Sequence, residues 1–175
     1  MFTYFDQDKV EKVIFNLLSN AFKFTPEKGK ITLRLKFIES DVDSENSSRR
    51  GAVLISVKDN GIGIPVEKQE RIFDRFFQND LPNSFVNHGS GIGLSLVNDY
   101  VKILGGTIRV ESIVDKGSIF KVTLPVELFS QEQIDLKNQS GDSKEPVMYY
   151  RENRSVFNNE VKFDSTKKKY FIGRG

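Results

Sequence analysis

The sequence predicts an α+β fold, with one β-sheet covered by one layer of helices. Two patterns carry this expectation. Apolar residues recur at helical spacing over 8–24 and 91–104, while other segments alternate apolar and polar residues as half-buried strands do. Helices and strands also follow one another without a strict β-α-β repeat, which favours antiparallel pairing.

The first helix spans 8–24. Val10, Val13, Ile14, Leu17, Leu18 and Ala21 form its apolar face, and Thr25-Pro26 stops it before a turn at Glu27-Lys28-Gly29. Residues 30–38 then alternate, with Ile31, Leu33, Leu35 and Phe37 on one side and Thr32, Arg34 and Lys36 on the other. The stretch 39–51 is polar and aperiodic and reads as a loop. Residues 52–57 are apolar almost throughout, as a central strand requires. Pro65 opens a short helix with Ile72, Phe73, Phe76 and Phe77 on its aromatic face. A polar, irregular segment covers 78–90. The second long helix follows over 91–104, with Leu94, Val97, Val101 and Leu104 inward and Gly105-Gly106 at its end. Residues 107–113 and 118–124 are strands joined by Val114-Asp115-Lys116-Gly117, a hairpin signal.

Composition removes several kinds of chemistry. The 175 residues, 38% of them hydrophobic, suffice for one domain with a substantial core and not for two large ones. Cysteine is absent, which excludes disulfides, a thiol nucleophile and thiolate metal sites, and a single histidine, His88, disfavours a Ser/His/Asp triad or a histidine-built metal site. Lys+Arg 26 against Asp+Glu 24 gives no basic field for nucleic acid. No apolar run reaches the roughly 18 to 20 residues of a membrane helix, and the opening MFTYFDQDK is no signal peptide. Together these fit a soluble protein of a reducing compartment. From 126 to 175 the chain is polar and mixed in charge, with scattered aromatics and one basic run, Lys167-Lys168-Lys169. It reads as a linker or tail, with a basic-aromatic surface for nucleic acid as the lesser alternative.

Three segments can carry chemistry. Asn16, Asn20 and Lys23 lie at i, i+4 and i+7 on the first helix, within about 60° of one another and roughly 120° from the apolar stripe. Asn oxygens are hard ligands suited to Mg²⁺ and an ammonium suits phosphate, although the same triplet also describes a solvated polar face. Asp59-Asn60-Gly61-Ile62-Gly63 follows a buried strand. Its carboxylate can accept from an exocyclic amine and its glycines let a flat ring approach the backbone; a plain Asn-Gly turn is the other reading. Gly89-Ser90-Gly91-Ile92-Gly93-Leu94 opens the second long helix, where free N–H groups and the helix dipole favour an anion. Its spacing fits neither the Rossmann fingerprint nor a P-loop.

In this order the segments resemble the ATP-binding catalytic domain of sensor histidine kinases, in the superfamily shared with heat-shock chaperones, topoisomerases and mismatch-repair ATPases. The resemblance covers roughly residues 4 to 125. It rests on FDQDKVEKVIFNLLSNAFKFTP (the N box), VKDNGIGIP (the first glycine box), RIFDRFFQ (the F box) and HGSGIGLSLV (the second glycine box). It implies a two-layer α/β sandwich with a mixed sheet over 1–125, followed by a linker or tail over 126–175. It also implies ATP and Mg²⁺ as cofactors. Asn20 would hold the metal, Asn16 would line the same site, and Lys23 would face the phosphates, making these three the catalytic set. Phe24 matches an aromatic near adenine, or serves as core. Asp59 matches the carboxylate that recognises the adenine amine, with Gly61 and Gly63 beside the ring. Residues 78–90 match the ATP lid, and Gly89, Gly91, Gly93 and Leu94 its closing end around the triphosphate. Phe73, Phe76 and Phe77 match the F box and anchor the lid, Phe77 bordering the nucleotide.

The implied activity is transfer of the ATP γ-phosphate to a histidine on a dimerisation domain that this chain lacks; His88, in the lid beside a glycine, suits lid packing. Hydrolytic relatives carry a glutamate where Asn16 stands, and an amide gives no general-base help, which favours histidine over water as acceptor. The implied partners are that dimerisation domain and a response regulator or receiver domain. The isolated domain is expected to be a monomer and the full protein a dimer, with this part cytoplasmic and the parent membrane-anchored; a hybrid kinase is one form the parent can take. A stand-alone ATPase or a nucleotide-sensing module of the same superfamily is the alternative, with the serine-phosphorylating branch a minor one. Two departures are visible. The strand that usually runs into the Tyr4-Phe5-Asp6 region is cut short, and nothing in the boxes matches the tail.

Overall fold

The computed structural model describes residues 2–3, 6–39, 49–77, 91–129, 135, 148–149 and 158–164. Asp6 caps the first helix, α1 (Gln7–Phe24): its carboxylate accepts from the Lys9 backbone N–H at 3.0 Å and pairs with the Lys9 ammonium. Val13, Leu17 and Ala21, one turn apart, are the residues α1 buries. Pro26 lacks an N–H to continue the ladder, and the helix ends at the extended Thr25.

Strand β2 (Lys30–Glu39) follows and pairs antiparallel with β3 (Arg49–Asp59). Both strands run further into the segment expected as a loop, and residues 40–48 lie outside the described residues. The short helix expected after Pro65 is instead two 3₁₀ turns, Val66–Lys68 and Arg71–Phe73. Asp74 is extended and Phe76 left-handed (φ 63°), so the helical backbone ends before it reaches Phe76 and Phe77. Helix α2 (Gly93–Ile103) leads into β4 (Thr107–Ile113) and β5 (Gly117–Leu128), joined by the expected hairpin.

The main sheet has the order β4-β5-β3-β2 and then β7 (Asn158–Asp164); a separate two-stranded ribbon joins β1 (Phe2–Thr3) to β6 (Met148–Tyr149). The α+β class stands. Every described pairing is antiparallel, so the mixed character implied by the resemblance is not seen among these residues. β5 continues to Leu128, past the boundary expected at 125, and β7 comes from the segment read as linker.

Pleating puts alternate residues on one face. Ile31, Ile55, Val57, Phe120, Val122 and Leu124 meet Val13, Leu17 and Ala21 of α1 and Val97 and Val101 of α2 in a single core. The opposite sheet face carries Arg34, Lys58 and Lys121 in exposed positions. Among the described residues, no helix is long and apolar enough to cross a membrane.

Candidate functional site

Helix α1 organises the site because its middle and its C-terminal end touch different glycine segments. Near its middle, Asn16 donates from Nδ2 to the Lys12 carbonyl at 2.8 Å, which fixes the amide. Its oxygen then faces α2: a Cβ placed on Gly93 would lie 3.0 Å from Asn16 Oδ1. The N box and the second glycine box therefore meet here. At the C-terminal end, the Phe24 carbonyl accepts from Ile62 N–H at 3.2 Å, and Gly61 sits so close that a Cβ there would be 2.2 Å from that carbonyl oxygen. The N box and the first glycine box meet there. Asn20 lies between these two points, half-buried on the same helix face as Asn16. Eight residues separate Asn16 from Phe24, about 12 Å of helix.

Asp59 stands at the end of β3 and is only 5% exposed. It accepts from Gly61 N–H at 2.9 Å and from Ser118 N–H at 3.3 Å, both through Oδ1. Desolvation pushes its pKa above the ordinary carboxylate value, and the two backbone N–H groups oppose that rise. A buried carboxylate with no cation beside it among the described residues is unfavourable for the empty fold and suits a ligand that brings a donor. Lys23 is partly desolvated too. Burial lowers its pKa, its ammonium lies 4.9 Å from the Phe24 ring centroid, and it forms no ion pair among the described residues.

The F box and the second glycine box close on each other: Phe76 N–H donates to the Gly91 carbonyl at 3.1 Å. The segment expected as a lid therefore leaves and returns at one point. Arg71 stacks 5.1 Å from the Phe77 ring centroid, and Phe73, Phe77 and Leu94 pack against the core. Lid residues 78–90, including His88 and Gly89, lie outside the described residues. Gly63 (φ +70°) lies away from α1, against the β4–β5 hairpin, where a Cβ would be 2.1 Å from the Ile113 carbonyl oxygen.

Three residues of that hairpin belong to the site although the sequence reading passed over them. Ser112 Oγ receives the Ile64 N–H at 2.8 Å, donates to the Gly117 carbonyl at 2.9 Å and lies 2.9 Å from Ser118 Oγ. Ser118 in turn reaches Asp59. The signal was available: Ser118 is a polar residue in the inward row of Phe120, Val122 and Leu124. Gly117 adopts φ +99° directly against the Asp59 backbone, with room for no side chain, since a Cβ would lie 2.1 Å from the Asp59 carbonyl oxygen. Gly117→Ala is therefore expected to destabilise the fold by at least about 2 kcal/mol, as left-handed strain and a backbone clash combine; urea unfolding measures this.

Among the described residues, no group of three His, Asp or Glu side chains could hold a metal unaided. The oxygen donors on α1 are amides at i and i+4. That donor set fits Mg²⁺, which takes one or two protein oxygens and completes its shell with phosphates and water.

The chain is similar in sequence and fold to known proteins. Residues 5–128 match the family model described as histidine kinase-, DNA gyrase B-, and HSP90-like ATPase. The chain is 38% identical over 135 residues to the sensor histidine kinase WalK of Bacillus subtilis, covering 77% of this chain and 20% of that protein. The mycobacterial sensor histidine kinase MprB has a similar structure, with TM-score 0.53 and 28% identity over 70% of this chain and 73% of that one. Full-length ShkA, solved in complex with AMPPNP, superposes with TM-score 0.52 and 26% identity, over 71% of this chain and 23% of that one. The chain thus spans about a fifth of the length of WalK.

Proposed function

Because the chain belongs to the histidine kinase-, DNA gyrase B- and HSP90-like ATPase family, we propose that it is the ATP-binding catalytic domain of a sensor histidine kinase. In this reading residues 5–128 form the body of the catalytic unit and 158–164 add an edge strand to its sheet, and the domain transfers the ATP γ-phosphate to a histidine on a dimerisation domain. The phosphoryl group then passes to a response regulator or receiver domain. The parent is a longer, dimeric sensor, with this domain on the cytoplasmic side of its membrane anchor.

The observation that carries the reading is Asp59. Its Oδ1 is occupied by two backbone donors, and Oδ2, without a partner among the described residues, can accept from the purine amine. Gly61 and Gly63 let the turn after Asp59 pack directly on the Phe24 and Ile113 carbonyls, which fixes the carboxylate's position. From there α1 leads to Lys23, whose ammonium complements phosphate, and to the amides of Asn20 and Asn16, which would hold Mg²⁺. When bound, the metal would neutralise phosphate charge and stabilise the transferring oxygens. The protein's own part is positioning: it orients the nucleotide between Asp59 and the start of α2, whose N-terminal N–H groups favour the phosphates.

Asn16 separates transfer to histidine from hydrolysis. An amide cannot take a proton from an attacking water, whereas a neutral imidazole is already a nucleophile near pH 7. Asn16→Glu is therefore expected to raise phosphate release by about 10-fold or more while lowering phosphohistidine formation on an added histidine-bearing domain. The direct test of the function is that transfer assay with radiolabelled ATP and Mg²⁺. Phosphohistidine is the expected product; rapid phosphate release by the unmodified chain, with none, would instead identify an ATPase.

A further inference from the structure

We propose that the edge of β2 is a strand-docking site occupied by the chain's own segment 158–164, and that this docking tightens the nucleotide site beside it. The second half rests on the proposed function. Strand β7 pairs with β2 from Lys30↔Asp164 to Lys36↔Asn158, completing a ladder that would otherwise leave a long open edge. Residues 129–157 separate β7 from β5, so the strand is brought in from a distant part of the chain.

Two anchors on opposite faces set its register. Phe163, opposite Ile31, turns inward and meets the Phe22 ring edge-on, with centroids 5.7 Å apart and planes at 73°. Glu160, opposite Arg34, turns outward and accepts from its guanidinium at 2.6 and 3.2 Å; Lys162 joins the same carboxylate at 3.1 Å. These ion pairs hold the Glu160 pKa below its ordinary value. Val161 between the anchors remains 48% exposed, so the strand is held at its ends and only half covered. The site thus selects an extended segment with a carboxylate and, three residues later, an aromatic ring.

The Phe163 anchor and the end of the ladder at Asp164 lead to the nucleotide residues. Phe22 stands on α1 between Asn20 and Lys23. Lys30, the partner of Asp164, donates its N–H to Asn60 Oδ1 at 2.6 Å, and its carbonyl accepts from Asn60 N–H at 3.2 Å. Asn60 adjoins Asp59. Docking of β7 therefore braces the turn that presents the carboxylate and the helix that presents the amides.

The experiment uses the full chain with Val161→Pro and Lys162→Pro made in parallel, because successive N–H groups point to opposite sides of a strand and one of the two must remove a ladder donor. Hydrogen exchange of amides 30–36 reads docking, and titration with a fluorescent ATP analogue and Mg²⁺ reads coupling. In one of the two variants exchange is expected to accelerate at least tenfold and the analogue's Kd to rise three- to tenfold. A synthetic peptide of residues 158–164 should reverse both effects and a scrambled peptide neither, which separates undocking from unfolding. Unchanged exchange in both variants would overturn the docking. Faster exchange at unchanged affinity would overturn the coupling. If the unmodified chain bound no analogue, the nucleotide reading and the coupling would fall together, while exchange would still decide the docking. Protection that appeared only at high protein concentration, with a dimer in sedimentation, would make a second copy the donor and overturn docking within one chain.

Discussion

Asp59→Asn is expected to weaken binding of an ATP analogue by about 10- to 150-fold while leaving the empty domain as stable as before, or more stable. The two halves have one cause. Asn retains an oxygen for the Gly61 and Ser118 N–H groups, so the local backbone keeps its partners. What it loses is the charge and the second acceptor. A hydrogen bond to a charged group contributes about 1.5–3 kcal/mol, which is the range of affinity loss given, at about 1.4 kcal/mol per decade. The amide NH₂ would then oppose the purine amine, donor against donor.

Stability moves the other way because of how Asp59 titrates. Burial raises its pKa in the folded chain, so the folded state keeps the proton to higher pH than the unfolded state does. Stability therefore falls as pH rises from the unfolded Asp value of about 4 through the raised folded value. The penalty of the buried charge is complete only above that raised folded value. Asp59→Asn removes that contribution, and thermal unfolding from pH 4 to pH 8 should show a shallower decline for the variant. A residue kept for packing would behave oppositely: its loss would destabilise the fold and leave no change in this pH slope.

The second large effect is expected at Asn20. Its side chain makes no hydrogen bond among the described residues, in contrast to that of Asn16, which is tied to the Lys12 carbonyl. Asn20→Ala should therefore leave the unfolding midpoint within about 1 kcal/mol of the unmodified chain. Phosphotransfer to an added histidine domain should drop at least about 10²-fold, the scale for removing a group that stabilises transferring charge. Binding of the analogue without Mg²⁺ should change by less than about threefold, since the purine end is untouched. Measured together, the three values distinguish a metal-holding amide from a solvated polar face.

Much of this was legible in the sequence because its signals are local. The 3.6-residue period of Val13, Leu17 and Ala21 fixed α1, and the alternation of Ile31, Leu33, Leu35 and Phe37 fixed β2. Asp59 could be placed at a strand end because an apolar run stops there at an Asn-Gly pair. The F-box helix was misread since aromatic spacing says nothing about the left-handed Phe76, which breaks the run. β7 was invisible for a different reason. Val161 and Phe163 are two apolar residues in a polar tail, and their strand identity comes from the β2 edge they pair with, more than a hundred residues earlier. Ser118 stands out as a polar residue in the inward row of β5, but Ser112 looks like an ordinary surface serine until the hairpin register sets it opposite Ser118.

The central claim is that one nucleotide spans α1, with its purine at Asp59 and its phosphates near Asn16 and Gly93. The most direct measurement is backbone amide NMR during titration with a non-hydrolysable ATP analogue and Mg²⁺. Saturable shifts are expected at two separate places, Gly61 to Gly63 and Gly91 to Leu94, with Asn16 and Asn20 side-chain amides moving in step. Shifts confined to one end of the helix, or gathered on the outer sheet face around Arg34 and Lys58, would contradict it.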